Sequence, residues 1–145
     1  MDLRCTICNQ QEETICHILW HCPLALNAWA SVRGRLQKSS SNAVEFFALA
    51  TQMMDKLSRV ELEVWVMISW SLWNARNRFH FDHLQSHPDM IVQSTTSLLE
   101  EYQWLAGTLP PGQVSFLALL IVYFVFFFSL AVEARCQWMM ALSLS

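Results

Sequence analysis

Four ligand-type side chains crowd into the first 22 residues, and they constrain this chain more than any other feature. Cys5-Thr6-Ile7-Cys8 opens the stretch, His17 follows after eight residues, and Cys22 closes it after four more. Two thiols separated by two residues sit on one tight turn with both sulfurs facing a single ion. A His and a Cys from the following segment complete a tetrahedral N/S site of the kind zinc prefers. Three thiolates and a neutral imidazole around a divalent ion leave about one net negative charge, tolerable if backbone N–H groups face the sulfurs. The opening Met1-Asp2-Leu3-Arg4 lacks the apolar core of a signal peptide. In a reducing compartment, clustered cysteines are metal ligands more often than disulfides. Two further candidates lie inside the loop. Cys16 precedes His17 and His21 precedes Cys22, so Cys5, Cys8, Cys16 and His21 make a second set of the same kind. If 17–22 coils helically, His17 and His21 share a face at i, i+4. The bland alternative is a reduced segment without metal.

Composition narrows the rest. Hydrophobic residues make up 54% of the 145 and charged ones 14%, against roughly 45–50% and about 25% in average usage. A disordered charged tail is excluded. The net charge of −3 argues against a strongly basic nucleic-acid binder. Residues 1–38 sum to +1 and residues 39–113 to −4, so attraction to phosphate would come weakly from the N-terminal part. Three glycines leave no Gly-rich phosphate cradle. No GxGxxG, P-loop or GxSxG occurs, which removes most nucleotide enzymes and α/β-hydrolases from consideration.

The order Cys5, Cys8, Glu13-Thr14, His17, Cys22-Pro23 and Trp29 carries more than the spacing. It resembles the zinc-binding module of plant non-LTR (LINE-type) retroelement reverse transcriptases. That family's pattern is C-x-x-C, an acidic stretch ending in Glu-Thr or Glu-Ser, a His, four residues, then Cys-Pro and a Trp. The resemblance implies zinc as the cofactor and Cys5, Cys8, His17 and Cys22 as its ligands. Cys16 then falls where the family commonly has Glu, and is a bystander.

Pro23 suits the first turn of a helix, and Ala25, Trp29, Val32 and Leu36 recur as an apolar stripe. Arg33, Arg35 and Lys38 read either as phosphate contacts beside the zinc site or as cations at a solvated helix end. Ser39-Ser40-Ser41-Asn42 is a short linker, with Glu45 placed as in a capping box, and Phe46, Leu49, Ala50, Met53 and Leu57 follow at helical spacing. Ser58 and Glu61 repeat the capping signal before Leu62, Trp65, Val66, Ile68, Trp70, Leu72 and Trp73, which predict a central, buried helix. Trp73-Asn74-Ala75-Arg76-Asn77-Arg78-Phe79-His80-Phe81 resembles the Trp-x-x-Arg-Asn-x-x-x-Phe stretch that follows the zinc module in the same retroelement proteins. The residues alone give that motif no physical role. Arg76 and Arg78 suit phosphate or the terminal carbonyls of the helix before them. His80, Asp82, His83 and His87 make a weak second metal candidate, disfavoured because Pro88 opposes helical geometry at His87. Pro88 starts another helix with Ile91, Ser94, Leu98, Tyr102 and Leu105 on one face, ended by Gly107 and Pro110-Pro111.

In the resembled family a Pro- and Gly-containing stretch leads into an RNase H domain whose first strand bears a metal-binding Asp. Here no acid follows Pro110-Pro111-Gly112 until Glu133, and two-metal chemistry needs several carboxylates in one cluster. The resemblance covers about residues 4–113, the connector between two catalytic domains, so it implies no catalysis. Residues 114–132 are 19 positions without a charge, about 28 Å as a helix and close to the thickness of a bilayer core. This run reads either as a tail anchor or as intron read-through, since Gln113-Val114-Ser115 can be encoded by a splice-donor sequence.

The expectation is therefore a mainly α protein in three parts. Residues 1–38 form a zinc-stapled module, 42–107 a helical bundle, and 114–132 a hydrophobic, transmembrane-like helix. Its inherited role is contact with nucleic acid or a retroelement protein. The alternative is a tail-anchored membrane protein with a cytosolic zinc-dependent interaction module. The chain is placed in a membrane if 114–132 anchors it, and in the nucleus or cytoplasm otherwise.

Overall fold

The computed structural model describes residues 3–38 and 41–108, and over these the protein is mainly helical. The described chain up to Trp104 is one compact unit. A π-helical turn over His17–His21 is followed by α1 (Pro23–Ser31), α2 (Arg35–Lys38), α3 (Phe46–Lys56), α4 (Arg59–Asp82) and α5 (Pro88–Thr108). The only ladder-type pairing among the described residues is an isolated antiparallel bridge between Arg4 and Glu12. The predicted hydrophobic helix over 114–132 lies outside the described residues. Among those described, no helix is long and apolar enough to cross a membrane.

The stripe after Pro23 is interrupted. Pro23 occupies the first turn of α1, but the helix stops at Ser31, Val32 turns extended, and Gly34 adopts a φ of +92°, a conformation that costs a residue with a Cβ far more than glycine. The chain re-enters a helix at Arg35. Ala25, Trp29, Val32 and Leu36 are nonetheless all buried, so the apolar spacing survives the break that redirects the backbone.

Two capping signals have different fates. Ser58 forms the expected capping box: its Oγ accepts the Glu61 N–H at 3.4 Å, and Glu61 Oε2 accepts the Ser58 N–H at 2.9 Å. Both Ser58 groups hold the Glu61 carboxyl below its usual range. The Asn42–Glu45 box does not form. Helix α3 starts at Phe46 with Glu45 as an N-cap whose side chain makes no cap bond. Ser41 Oγ takes the local role, accepting from the Ala43 N–H at 3.1 Å and donating to Gln52 Oε1 at 2.8 Å.

Helix α4 is the centre, packing on the π turn and on α2. Leu36, Leu49, Met53, Ile68 and Leu72 are fully buried, with Trp65 beside them, whereas Trp70 faces outward. Helix α5 buries Ile91, Thr95 and Leu99, a strict i, i+4, i+8 row rather than the predicted 91–94–98 face, and Leu98 is exposed. The reason is polar. Thr95 Oγ1 donates to Ile91 O at 2.6 Å and accepts from Ser71 Oγ at 2.7 Å, which holds the Thr95 edge of α5 toward α4.

Candidate metal centre

The donor set is assembled from two short pieces. In the first, Asn9 N–H bonds Cys5 O at 2.8 Å and Cys5 N–H bonds Gln11 O at 2.8 Å, closing a knuckle around Cys5 and Cys8. Asn9 takes the left-handed conformation at φ 54°, which asparagine tolerates better than most residues. In the second, the Cys22 N–H reaches His17 O at 2.6 Å, an i to i+5 bond. A regular α-helix would set residues five apart about 140° round the axis. The wider π turn reduces that offset, and the extended backbone of Cys22 completes the return toward His17.

The result brings Cys5, Cys8, His17 and Cys22 together, with one donor atom of each within 4.8 Å of every other. This is the single such cluster found among the described residues. Cys8 Sγ lies 3.2 Å from His17 Nε2. A tetrahedral ion with the usual Zn–S and Zn–N lengths needs donor separations of about 3.5–3.8 Å, so the widest edge needs to contract by about 1 Å. Cys5, His17 and Cys22 are buried and Cys8 is half-buried. His17 Nδ1 donates to Gln11 Oε1 at 3.1 Å. That acceptor fixes the tautomer and leaves the Nε2 lone pair facing the sulfurs.

The electrostatics suit thiolates around a cation. Backbone N–H groups of Cys8 and Ile7 face the Cys5 sulfur, those of Gln10 and Gln11 face Cys8, and that of Leu24 faces Cys22. Leu24 belongs to the first turn of α1, so Cys22 sits at that helix's positive end. Without a cation, burial dominates. It pushes Cys5 up and Cys22 up to about 12. At Cys8 burial pulls the same way, but the Gln10 and Gln11 N–H groups and the neighbouring thiols outweigh it and hold this thiol below its ordinary value. Burial, with His21 nearby, also keeps His17 below the usual imidazole range against the pull of Glu13, so it is neutral and ligand-ready at pH 7.

The other candidates stay outside. Cys16 is buried and free, pushed up to about 11 by burial and then by Glu45. His21 Nε2 donates to Ser41 O at 3.1 Å. His80, Asp82, His83 and His87 do not converge; His83 instead ends α4 in the left-handed conformation. The basic residues divide. Arg33 and Arg78 are exposed, whereas Arg35 donates to Lys56 O at 3.0 Å and lies 3.9 Å from Glu61. The side chain of Lys38 is outside the described set. Arg76 does not cap a helix end, because α4 runs on to Asp82.

Arg76 has a partner that spacing could not reveal. Its Nη2 donates to Glu13 Oε1, 63 residues away, while Nη1 donates to Asn77 Oδ1 at 3.1 Å and the guanidinium lies over the Trp73 ring at 5.6 Å. The other Glu13 oxygen accepts from the Thr6 N–H at 3.1 Å and Thr6 Oγ1 at 3.3 Å. Arg76 thus reaches the loop carrying Cys5 and Cys8 through Glu13, with Trp73 and Asn77 of the same motif against its guanidinium. Comparison of the chain with protein-family models, with curated proteins and with solved structures finds no match.

Proposed function

We propose that this is a non-catalytic zinc-binding protein in which the metal staples the N-terminal loop to a helical scaffold. The observation that carries the reading is the convergence of Cys5, Cys8, His17 and Cys22. Four protein ligands saturate a tetrahedral ion, and a site without an open position is structural rather than hydrolytic. Three sulfurs and one imidazole favour zinc over hard cations, which select oxygen donors. The resemblance of residues 4–113 to a retroelement connector agrees with a module that joins or contacts other parts of a reverse transcriptase.

Between protein and nucleic acid as the partner of that module, the charges favour protein. Arg35 and Arg76 are engaged within the fold, and the chain is net acidic. The test loads the purified full chain with cobalt and titrates it against single- and double-stranded RNA and DNA at several salt concentrations. A thiolate-rich tetrahedral spectrum supports the metal reading, and its absence ends it. With Arg33, Lys38 and Arg78 left of the five candidate phosphate contacts, the slope of log affinity against log salt should be no steeper than about −3. A steeper slope would move the reading to nucleic acid.

A further inference from the structure

We propose that Glu13 and Arg76 form a clamp through which metal binding and the docking of helix α4 support each other, with Trp73 and Asn77 positioning the guanidinium. The inference rests on the zinc reading above. One Glu13 carboxylate holds both Thr6, between the two knuckle cysteines, and Arg76, on α4. The pair is largely withdrawn from water, with the Arg76 and Glu13 side chains 14% and 18% exposed. Asn77 occupies a second guanidinium nitrogen and Trp73 covers its face.

Helix α4 therefore reaches both halves of the donor set. It grips the knuckle of Cys5 and Cys8 through Glu13, and it packs on the π turn that carries His17. An ion that draws the two halves together also fixes the carboxylate where Arg76 meets it. Equally, a docked α4 holds the halves near their bonded separation before the ion arrives, which lowers the ordering cost of binding. When the knuckle loosens, Arg76 loses its counter-charge in a site with little water to replace it. Such coupling is reciprocal by necessity, and it gives the Trp-x-x-Arg-Asn motif a physical role as the outer support of the metal centre.

The experiment measures cobalt and zinc affinity of the full chain by competition with a chelator. Glu13→Gln and Arg76→Met should each weaken binding by about tenfold, the low end for outer-shell partners of a metal site, while the tetrahedral cobalt spectrum keeps its shape. The double variant should be no weaker than the weaker single, because both changes break one contact. Glu61→Ala, which disrupts the capping box at the far end of α4, should leave metal affinity unchanged. Hydrogen exchange supplies a second readout: removing metal should loosen residues 73–79 in the parent chain and change them less in Arg76→Met. Unchanged affinity in both single variants, additive losses, or an equal loss in Glu61→Ala would overturn the clamp while leaving the zinc reading intact. Absence of any thiolate–cobalt spectrum in the parent chain would overturn both.

Discussion

Residues 3–22 and helices α3 to α5 reach order by opposite means. The first region has one isolated bridge and one π turn, and its shape comes from individual contacts such as Asn9 to Cys5, His17 to Gln11 and Glu13 to Thr6. The second repeats one backbone pattern over long helices and buries Leu49, Met53, Ile68 and Leu72 completely. On the proposed zinc reading, the first region, too short for a core of its own, draws its folding energy from a metal. The second draws it from apolar burial.

Breaking the metal site should separate the regions most sharply. Apparent zinc-binding energies of structural sites are about 10–16 kcal/mol, so a chelator should abolish the near-ultraviolet signal of the Trp20–Trp29 pair, whose rings lie 5.1 Å apart. Most of the far-ultraviolet helix signal should remain. Cys22→Ser should cost metal affinity about a hundredfold or more, and Cys16→Ser should keep the cobalt spectrum. The reverse pattern would show the donor set to be wrong.

A core truncation should produce the complementary result. Ile68→Ala or Leu72→Ala should lower unfolding stability by about 2–5 kcal/mol in denaturant titration, with the cobalt spectrum unchanged in the folded protein. Loss of the spectrum in native conditions would mean that the two regions fold as one.

Alkali distinguishes the metal-free from the loaded chain. In the metal-free protein Cys22 is raised from 9.0 to about 12 and Cys16 from 9.0 to about 11. A raised thiol contributes stability that is present below its unfolded value and lost as pH climbs to the folded one. Metal-free stability should therefore fall from pH 9 upward, by about 1.4 kcal/mol per pH unit for each thiol concerned. The loaded chain should show the opposite sensitivity at low pH, because protons compete with the ion for the sulfurs. Thermal melts with and without chelator between pH 6 and 11 check both signs.

The smallest effect belongs to the helical region alone. Ser58→Ala removes the cap of α4 and should cost about 1 kcal/mol, with metal affinity unaltered. A loss of affinity as large as that in Arg76→Met would overturn the clamp.

Local chemistry was legible where neighbours in sequence are neighbours in space. The C-x-x-C knuckle, the Pro23 start of α1, the Ser58–Glu61 box and the Pro88 start of α5 all depend on residues a few positions apart. Where several local solutions compete, the sequence left the choice open. Spacing allowed Cys16 and His21 as donors, the family resemblance favoured His17 and Cys22, and the π turn brings those two to the cluster while His21 turns to Ser41. Gly34 broke a stripe that reads as one helix, and Thr95 rotated α5 by its bond to Ser71.

What the sequence by itself determined, then, is the type and spacing of the ligands and the starts of three helices, because each is set by backbone geometry within a turn or two. The tertiary structure alone decided which donors converge, which edge of α5 is buried and what Arg76 does. Those outcomes depend on contacts between distant segments, such as the 63 residues separating Glu13 from Arg76. The partner of a charge is chosen by where folding places it and how little water remains there.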